Sequence, residues 1–341
     1  MKAVIRYSDL SRHRSELMGF AMLIIVMFHI FVPRQSAFFG LHRIGNSGVD
    51  IFLFLSGIGM WYSWTKTANP STLQFFKRRY ARIYPAWLII ALLYYGNDYL
   101  TARQRSTSLT DLAGDVLINW DYWLSADYSF WYIPAIMMLY TLTPFYLRLV
   151  IRHPVYRWLP VLAIVWSVVV QWVPQVHAAV GHVEAFWSRI PIFFIGINLG
   201  QSVKENQRIE GHAVWMPAIV FTATLAVSIY LEQHYYGRYP LFIERMIYIP
   251  MVVSGCLLGG SLFAYMEKFL TGKCMNRALA FVGTVSLEIY LIHEQFIHLH
   301  IRKLALGYWP TFFLVVVATL PLAWLLSKIA IYIEKTINRK L

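Results

Sequence analysis

A short basic stretch contains the first residues that could do chemistry. Four cations, Lys77, Arg78, Arg79 and Arg82, fall within six residues, next to a long apolar run. Arg79 and Arg82 are three residues apart, so on a helix both side chains point to one face. Guanidinium groups bind phosphate oxygens through paired hydrogen bonds. The spacing predicts a polyanion site at a membrane surface. The alternative is plain positive-inside anchoring, or contact with anionic lipid headgroups.

His29 is the second candidate, because it lies inside the first long apolar run, residues 17–29. An ionisable group at that depth usually faces a cavity or a partner. Histidine exchanges a proton near neutral pH and can act as a general base on a hydroxyl. A neutral imidazole hydrogen-bonded between helices is the equally weighted alternative. A polyanion site and a titratable base in one membrane protein together suggest group transfer from a phosphate-bearing donor.

Further polar residues lie near the ends of apolar runs. Asp50 opens the second run, at a depth similar to that of His29 if the two runs are antiparallel neighbours, so it could orient the imidazole. An interfacial aspartate or a helix cap is the alternative. Trp131 and Arg189 open later runs, where an outer polar cavity or simple snorkelling would use them. Glu294 lies within a run and needs a reason to be there. The spacing of His293, His298 and His300 is a weak metal signal, and we predict no metal.

Composition determines which elements must hold these residues. Of 341 residues, 58% are hydrophobic and only 14% are charged, against roughly 25% charged in soluble domains. The excess apolar surface requires lipid as solvent, and the apolar runs are too long and continuous for a barrel. We therefore predict an all-α, polytopic membrane bundle in one domain, 1–341. The net charge of +13 sits in short stretches between the runs, which argues against nucleic acid as a partner.

The apolar runs predict about ten transmembrane helices, each near the ~20 residues that cross a bilayer. They are residues 16–33, 47–65, 81–97, 130–149, 157–175, 188–203, 213–231, 245–265, 279–298 and 309–333. The excess of Lys and Arg in alternate loops predicts that both termini, and with them the basic stretch, are cytoplasmic. In the longest outer connection, residues 98–129, one apolar helical face predicts an amphipathic helix, with Asp111, Asp115 and Asp121 off that face.

Several of these stretches together resemble the acyltransferase 3 family of integral membrane acyltransferases. The stretches that carry the resemblance are residues 17–29, 48–57, 76–85, 131–144, 189–196 and 282–293. Their order and spacing cover nearly the whole chain. The resemblance implies that His29 is the catalytic histidine of the first span and that Arg79 and Arg82 are the family's R-x-x-R pair. It also implies an acyl-CoA donor, usually acetyl-CoA, taken from the cytoplasm, and a hydroxyl acceptor on a cell-surface glycan or lipid-linked sugar.

One position departs from the family pattern. Met18 stands eleven residues before His29, where the family often has Arg or Lys, and Arg14 lies one turn earlier and could substitute.

We therefore predict a multi-pass acetyltransferase of the inner (plasma) membrane, surrounded by membrane lipid. Lys77, Arg79, Arg82 and Arg14 would hold the donor.

In the same prediction His29 and Asp50 are catalytic, and Trp131, Arg189 and Glu294 contact the acceptor. The rival from another class is a secondary transporter or flippase for an anionic solute. A non-catalytic relative that only binds lipid or a partner is the third possibility.

Overall fold

The computed structural model describes residues 4–67, 69–101, 108–125 and 127–340. Almost all of them are helical, so the all-α prediction is confirmed. The described strands are β1 (Val4–Arg6) and β2 (Arg208–Glu210), which pair antiparallel with Ile5 opposite Ile209. This small ribbon joins the chain before the first apolar run to a later loop.

The α-helices, in chain order, are α1 Asp9–Arg12, α2 Arg14–His29, α3 Phe39–Arg43, α4 Gly48–Trp64, α5 Thr72–Leu100, α6 Leu109–Ile118, α7 Trp120–Ser125, α8 Tyr132–Arg152, α9 Pro160–Trp172, α10 Pro174–Val180, α11 Glu184–Trp187, α12 Ile190–Lys204, α13 Trp215–Tyr235, α14 Leu241–Met266, α15 Leu270–Thr284, α16 Ser286–Ile292, α17 Leu299–Ile301 and α18 Tyr308–Lys340. A π-helical segment, His293–His298, follows α16, and short 3-10 helices connect several of the others.

The basic stretch lies inside α5 rather than before it. Ser71 caps this helix by accepting a hydrogen bond from the backbone N–H of Gln74 at 3.4 Å, so the helix begins at Thr72. Arg79 and Arg82 are therefore helical, as their spacing predicts, and α5 runs on for 29 residues through Pro85.

Six helical segments of the described residues are long and apolar enough to cross a membrane, or seven if one bent pair counts as a span. They are Phe39–Trp64, Tyr132–Arg152, Pro154–Trp172, Gly211–Tyr235, Leu241–Met266 and Tyr308–Ile337. Of the other predicted spans, α2 and α12 have 16 and 15 residues, short of the roughly 20 that a bilayer needs. Ten spans and cytoplasmic termini are thus not confirmed and remain predictions. The protein is nevertheless a multi-pass membrane protein, because several of these helices expose apolar faces outward.

The predicted span 279–298 is wrong as a single straight helix. The structure breaks it at Val285, and the two parts, Leu270–Thr284 and Ser286–Leu304, are bent by 60°. The two parts line different surroundings, because α15 packs along α2 whereas α16 continues beside α18.

The predicted amphipathic helix between residues 98 and 129 is also wrong in part; residues 102–107 and 126 lie outside the described residues. The chain forms two short helices, α6 and α7, because Asn119 adopts a left-handed conformation (φ 48°) that ends α6. The buried Asn119 amide donates to the Ser129 carbonyl at 2.9 Å and accepts from the Tyr95 hydroxyl at 3.0 Å. Asp115 is buried, whereas Leu124 is exposed.

In two pairs of described helices, each helix has a glycine that touches the backbone of the other. A Cβ atom added at Gly19 would lie 1.9 Å from the Leu279 carbonyl oxygen, and one at Gly283 would lie 1.9 Å from the Ser15 carbonyl oxygen. Gly57 of α4 and Gly196 of α12 are fitted to each other's helix in the same way. Small residues at such contacts allow close helix approach in membranes. They fix α2 against α15, and α4 against α12.

We expect Gly19→Ala to lower stability because its methyl group would push α2 away from α15. Overpacking of this kind costs about 1–3 kcal/mol. The measurement is the thermal unfolding midpoint of the purified protein in detergent. Gly96→Ala in α5 is the matched control, since a Cβ there meets nothing within 4 Å. An unchanged midpoint for Gly19→Ala would show that this contact does not hold the bundle.

Candidate functional site

A cavity of about 400 Å³ is lined by arginines from α2 and α5. Arg14, Arg78, Arg79 and Arg82 all line it. Arg14 comes from the first turn of α2, and the other three come from the early turns of α5. Four guanidinium groups and one carboxylate, that of Glu334, line this cavity, so the net charge of its lining is positive and suits a polyanion. We call this space the arginine cavity.

Gly59 on α4 lies next to two of these arginines. An NH2 group of Arg79 donates to the Gly59 carbonyl oxygen at 3.3 Å. A Cβ atom added at Gly59 would lie 3.7 Å from the guanidinium of Arg14. A side chain longer than alanine at this position would therefore contact that guanidinium. The core helix α4 therefore supports the wall of the cavity from behind.

The structure separates the four residues that the sequence predicts to hold the donor. Arg14, Arg79 and Arg82 share the arginine cavity, and Met18 lines it as well. Arg14 thus reaches the space beside the position where Met18 replaces the family's usual basic residue. Lys77 is exposed and does not line the cavity. It precedes Arg79 by two residues, so its side chain points to another face of α5. Donor contact by Lys77 therefore gains no support from this cavity and remains a prediction.

A second, smaller cavity of about 160 Å³ holds His29, and we call it the histidine cavity. Its polar lining includes Asn46, His293 and Glu294, and its apolar lining includes Phe28 and Trp131. His29 is the last residue of α2. Its Nδ1 lies 2.8 Å from the Ile25 carbonyl oxygen, which can only accept. This contact assigns the proton to Nδ1 and leaves Nε2 as the basic nitrogen.

The two cavities adjoin each other. Ile25, Val49 and Tyr290 line both, so these three side chains form a collar between them. The hydroxyl of Tyr290 accepts a hydrogen bond from the backbone N–H of Tyr132 at 3.1 Å, which fixes the ring against α8. The break at Val285 contributes here, because Gly283, Thr284, Ser286 and Leu287 line the arginine cavity.

One face of α2 runs the length of both cavities. Arg14, Met18, Ile25 and His29 are spaced by four, seven and four residues, and each lines one cavity or both. Such spacings put side chains on one face of a helix. Fifteen residues at 1.5 Å each separate Arg14 from His29 by roughly 22 Å along the helix axis.

The predicted pairing of Asp50 with His29 is not what the structure shows. The buried carboxylate of Asp50 accepts a hydrogen bond from Arg189 Nε at 3.4 Å. Arg189 also donates to Asn46 Oδ1 at 3.0 Å, and Asn46 in turn donates to Glu244 at 3.4 Å. Asp50 therefore belongs to a buried ionic network beside the histidine cavity. The charge of Arg189 requires a counter-charge there, and Asp50 supplies it.

The three residues predicted to contact the acceptor lie at different distances from the cavity. Trp131 and Glu294 line the histidine cavity. Arg189 is buried behind it, with its guanidinium 5.0 Å from the centre of the Trp131 ring, and it supports the wall rather than lining it. Whether Trp131 and Glu294 touch a substrate remains a prediction.

Sequence reasoning missed or undervalued four residues around these cavities: Asn46, Gly59, Tyr290 and His293. The sequence places His293 in a weak metal pattern and in the stretch 282–293 that carries the resemblance, without a role of its own. The structure instead places His293 Nε2 3.4 Å from His29 Nδ1. The sequence does contain a signal for this part of the site. Tyr290, His293 and Glu294 are polar residues grouped within one apolar run, which is typical of functional sites in membranes.

A metal ion is the other ligand that these side chains could hold. One ligand atom from each of His29, His293 and Glu294 lies within 4.8 Å of the others. Two imidazoles and a carboxylate are a known ligand set for divalent metals. The sequence prediction of no metal is untested and remains a prediction.

Comparison with known families identifies the chain. The model of a family described as an acyltransferase domain, acyltransferase 3, matches residues 17–328. The chain belongs to the acyltransferase 3 family. No curated protein and no solved structure matches it. The resemblance inferred from the sequence is confirmed, and the protein is a membrane acyltransferase. The match begins at residue 17, so Arg14 of this acyltransferase lies just outside it.

We expect Asp50→Asn to destabilise this acyltransferase, because it leaves the buried Arg189 guanidinium without its counter-charge. Breaking a buried ion pair costs about 3–5 kcal/mol. Thermal unfolding in detergent is the measurement. The double variant Asp50→Asn/Arg189→Met should recover part of the loss, since the orphaned charge is also removed. A fully stable but inactive Asp50→Asn protein would instead restore Asp50 to the catalytic role that the sequence suggested.

Proposed function

We propose that this protein is an inner-membrane O-acetyltransferase. It transfers an acetyl group from cytoplasmic acetyl-CoA to a hydroxyl of a cell-surface or lipid-linked glycan. The observation that supports this most is the pair of adjoining cavities. One is lined by four arginines, and the other contains a histidine with a free basic nitrogen. A donor with a phosphate-rich head and a reactive end needs both surroundings, a polyanion site and a base, joined by a narrow passage.

The donor would bind with its phosphates among Arg14, Arg79 and Arg82. The slender pantetheine arm of CoA would follow the exposed face of α2 through the collar of Ile25, Val49 and Tyr290. It would bring the thioester into the histidine cavity. Positioning the two reactants in this way removes much of the entropic barrier to reaction.

The chemistry then needs one base. His29 Nε2 accepts the proton of the acceptor hydroxyl, and the resulting alkoxide attacks the thioester carbonyl carbon. The C–S bond breaks, and the CoA thiolate takes the proton back from His29. An acetyl-histidine intermediate is the other route, with attack first by Nε2 and then by the acceptor hydroxyl. Both routes end with the ester and CoA thiol, so atoms and protons balance.

The transporter alternative gains one observation, because helix breaks such as that at Val285 occur in transporters. Membership of an acyltransferase family weighs more, and the break lines the arginine cavity, where it has a use in donor binding.

We expect His29→Ala to abolish acetyl transfer while the protein still folds, since loss of a general base costs about 10²–10⁴-fold in rate. The measurement is transfer of label from radiolabelled acetyl-CoA by purified protein to isolated surface glycans. Mass spectrometry of glycans from cells carrying each variant supports it. His300→Ala is the control, because His300 is exposed and lines neither cavity. Near-normal turnover by a well-folded His29→Ala protein would remove the histidine from the mechanism.

We expect Arg82→Ala to weaken CoA binding by about 10- to 100-fold, the value of one charge-assisted hydrogen bond to phosphate. Lys77→Ala is a matched control, because it removes a cation from the same helix outside the cavity. Calorimetric titration with CoA measures both variants at one salt concentration. Equal losses for the two would point to a general electrostatic effect of the basic stretch and against a specific site.

A further inference from the structure

The histidine cavity contains a second imidazole whose proton position is also determined. Nδ1 of His293 lies 2.9 Å from the Ile289 carbonyl oxygen and 3.1 Å from that of Tyr290. Carbonyl oxygens only accept, so the His293 proton is on Nδ1 and its Nε2 has a free lone pair. Both histidines therefore use Nδ1 to bind the carbonyl oxygen four residues earlier in the chain.

The free lone pair of His293 points at His29. His293 Nε2 is 3.4 Å from His29 Nδ1, and the two rings meet edge to face with centroids 4.9 Å apart. The single Nδ1 proton of His29 is thus shared between the Ile25 carbonyl and His293 Nε2. Since His293 is buried, with 1% of its surface exposed, this second contact restricts the rotation of the His29 ring.

Glu294 is the carboxylate of this cavity. One of its oxygens accepts from His298 Nδ1 at 2.9 Å, and one lies within 4.8 Å of ligand nitrogens of both His29 and His293. The π-helical segment begins at His293, and π-helical turns often occur at functional sites. In this segment two consecutive side chains, those of His293 and Glu294, approach His29 together.

Asp50, which is buried, and Glu294, which is half-buried, differ in the charges around them. Asp50 is compensated by the guanidinium of Arg189, with which it is paired. Glu294 pairs with His298, which carries a charge only when protonated. When His29 takes a proton, its new positive charge therefore lies near Glu294. The negative charge of that carboxylate attracts it.

We propose that His293 and Glu294 are positioning residues for His29: His293 fixes the ring and keeps Nε2 basic, and Glu294 stabilises the ring once it is protonated. This inference rests on the proposed function, in which His29 is the base. It assigns to Glu294 the part that the sequence suggested for Asp50, in place of a contact with the acceptor.

The experiment compares variants at both positions by steady-state kinetics with acetyl-CoA and isolated surface glycans. Glu294→Gln should lower kcat by about 10- to 100-fold, a range typical of residues that support a reacting group. The KM for acetyl-CoA and the affinity for CoA should not change, because the arginine cavity is untouched. Glu294→Asp, which keeps the charge, should recover part of the rate. Glu210→Gln is the control, because Glu210 is exposed and outside both cavities.

At His293 the test is rescue by an acceptor. Leucine removes the lone pair that faces His29, whereas glutamine offers a carbonyl oxygen in its place. His293→Leu should lose about 10- to 100-fold in kcat, and His293→Gln should lose clearly less. His300→Gln is the matched histidine control. Equal losses for the Leu and Gln variants would mean that the ring only fills space, and would overturn the assignment of His293.

A double variant separates this inference from the proposed function. In a His29→Ala background, Glu294→Gln should cause no further loss, because residues that act through one group are not additive. A dead His29→Ala protein with a normal Glu294→Gln protein would refute this inference alone. An active His29→Ala protein would refute the proposed function itself.

Three further outcomes would also count against the assignment. A raised acceptor KM with unchanged kcat in Glu294→Gln would make Glu294 an acceptor contact. Loss of CoA binding together with activity would make it a structural residue. Inactivation of the wild-type protein by a chelator would make the cluster a metal site.

Discussion

The backbone contact between α2 and α15 is the constraint on which the rest of the site depends. Gly19 and Gly283 allow the two helices to touch without side chains between them. This contact fixes both the height and the rotation of α2, so its adjacent face, from Arg14 to His29, is presented to the two cavities. Because α15 ends one residue after Gly283, the same contact places the break at Val285 beside the arginine cavity.

Buried charge is the second constraint. The network around Asn46, Asp50 and Arg189 places paired charges next to the histidine cavity, and each of them is satisfied by another protein group. Such paired charges stabilise the wall of the cavity, but they are already compensated and interact little with a substrate. The arrangement at Glu294 and His298 is different, since its net charge depends on protonation. A carboxylate that is not already compensated can stabilise the positive charge that forms on a neighbouring base during the reaction.

The helices around the site are not uniform membrane spans. α4 is buried on all sides as the core of the bundle, whereas α13 exposes most of its apolar surface. α2, which lines both cavities, is short and lies against α15 through glycines. Helices that line a cavity within protein can be shorter and more polar than those that face lipid. Hydropathy and length therefore miss α2 as a span, although this helix lines both cavities.

The sequence by itself determined the all-α membrane class, the basic pair Arg79 and Arg82, and the buried histidine, because apolar run length and isolated charge are local properties. Only the tertiary structure decided which carboxylate stands beside His29. Asp50 and Glu294 both lie at the ends of apolar runs or within them. Asp50 pairs with Arg189, 139 residues later, and Glu294 approaches His29 from the other end of the chain. Such partners depend on helix rotation, and a rotation of about 100° between adjacent residues changes the neighbours of every side chain.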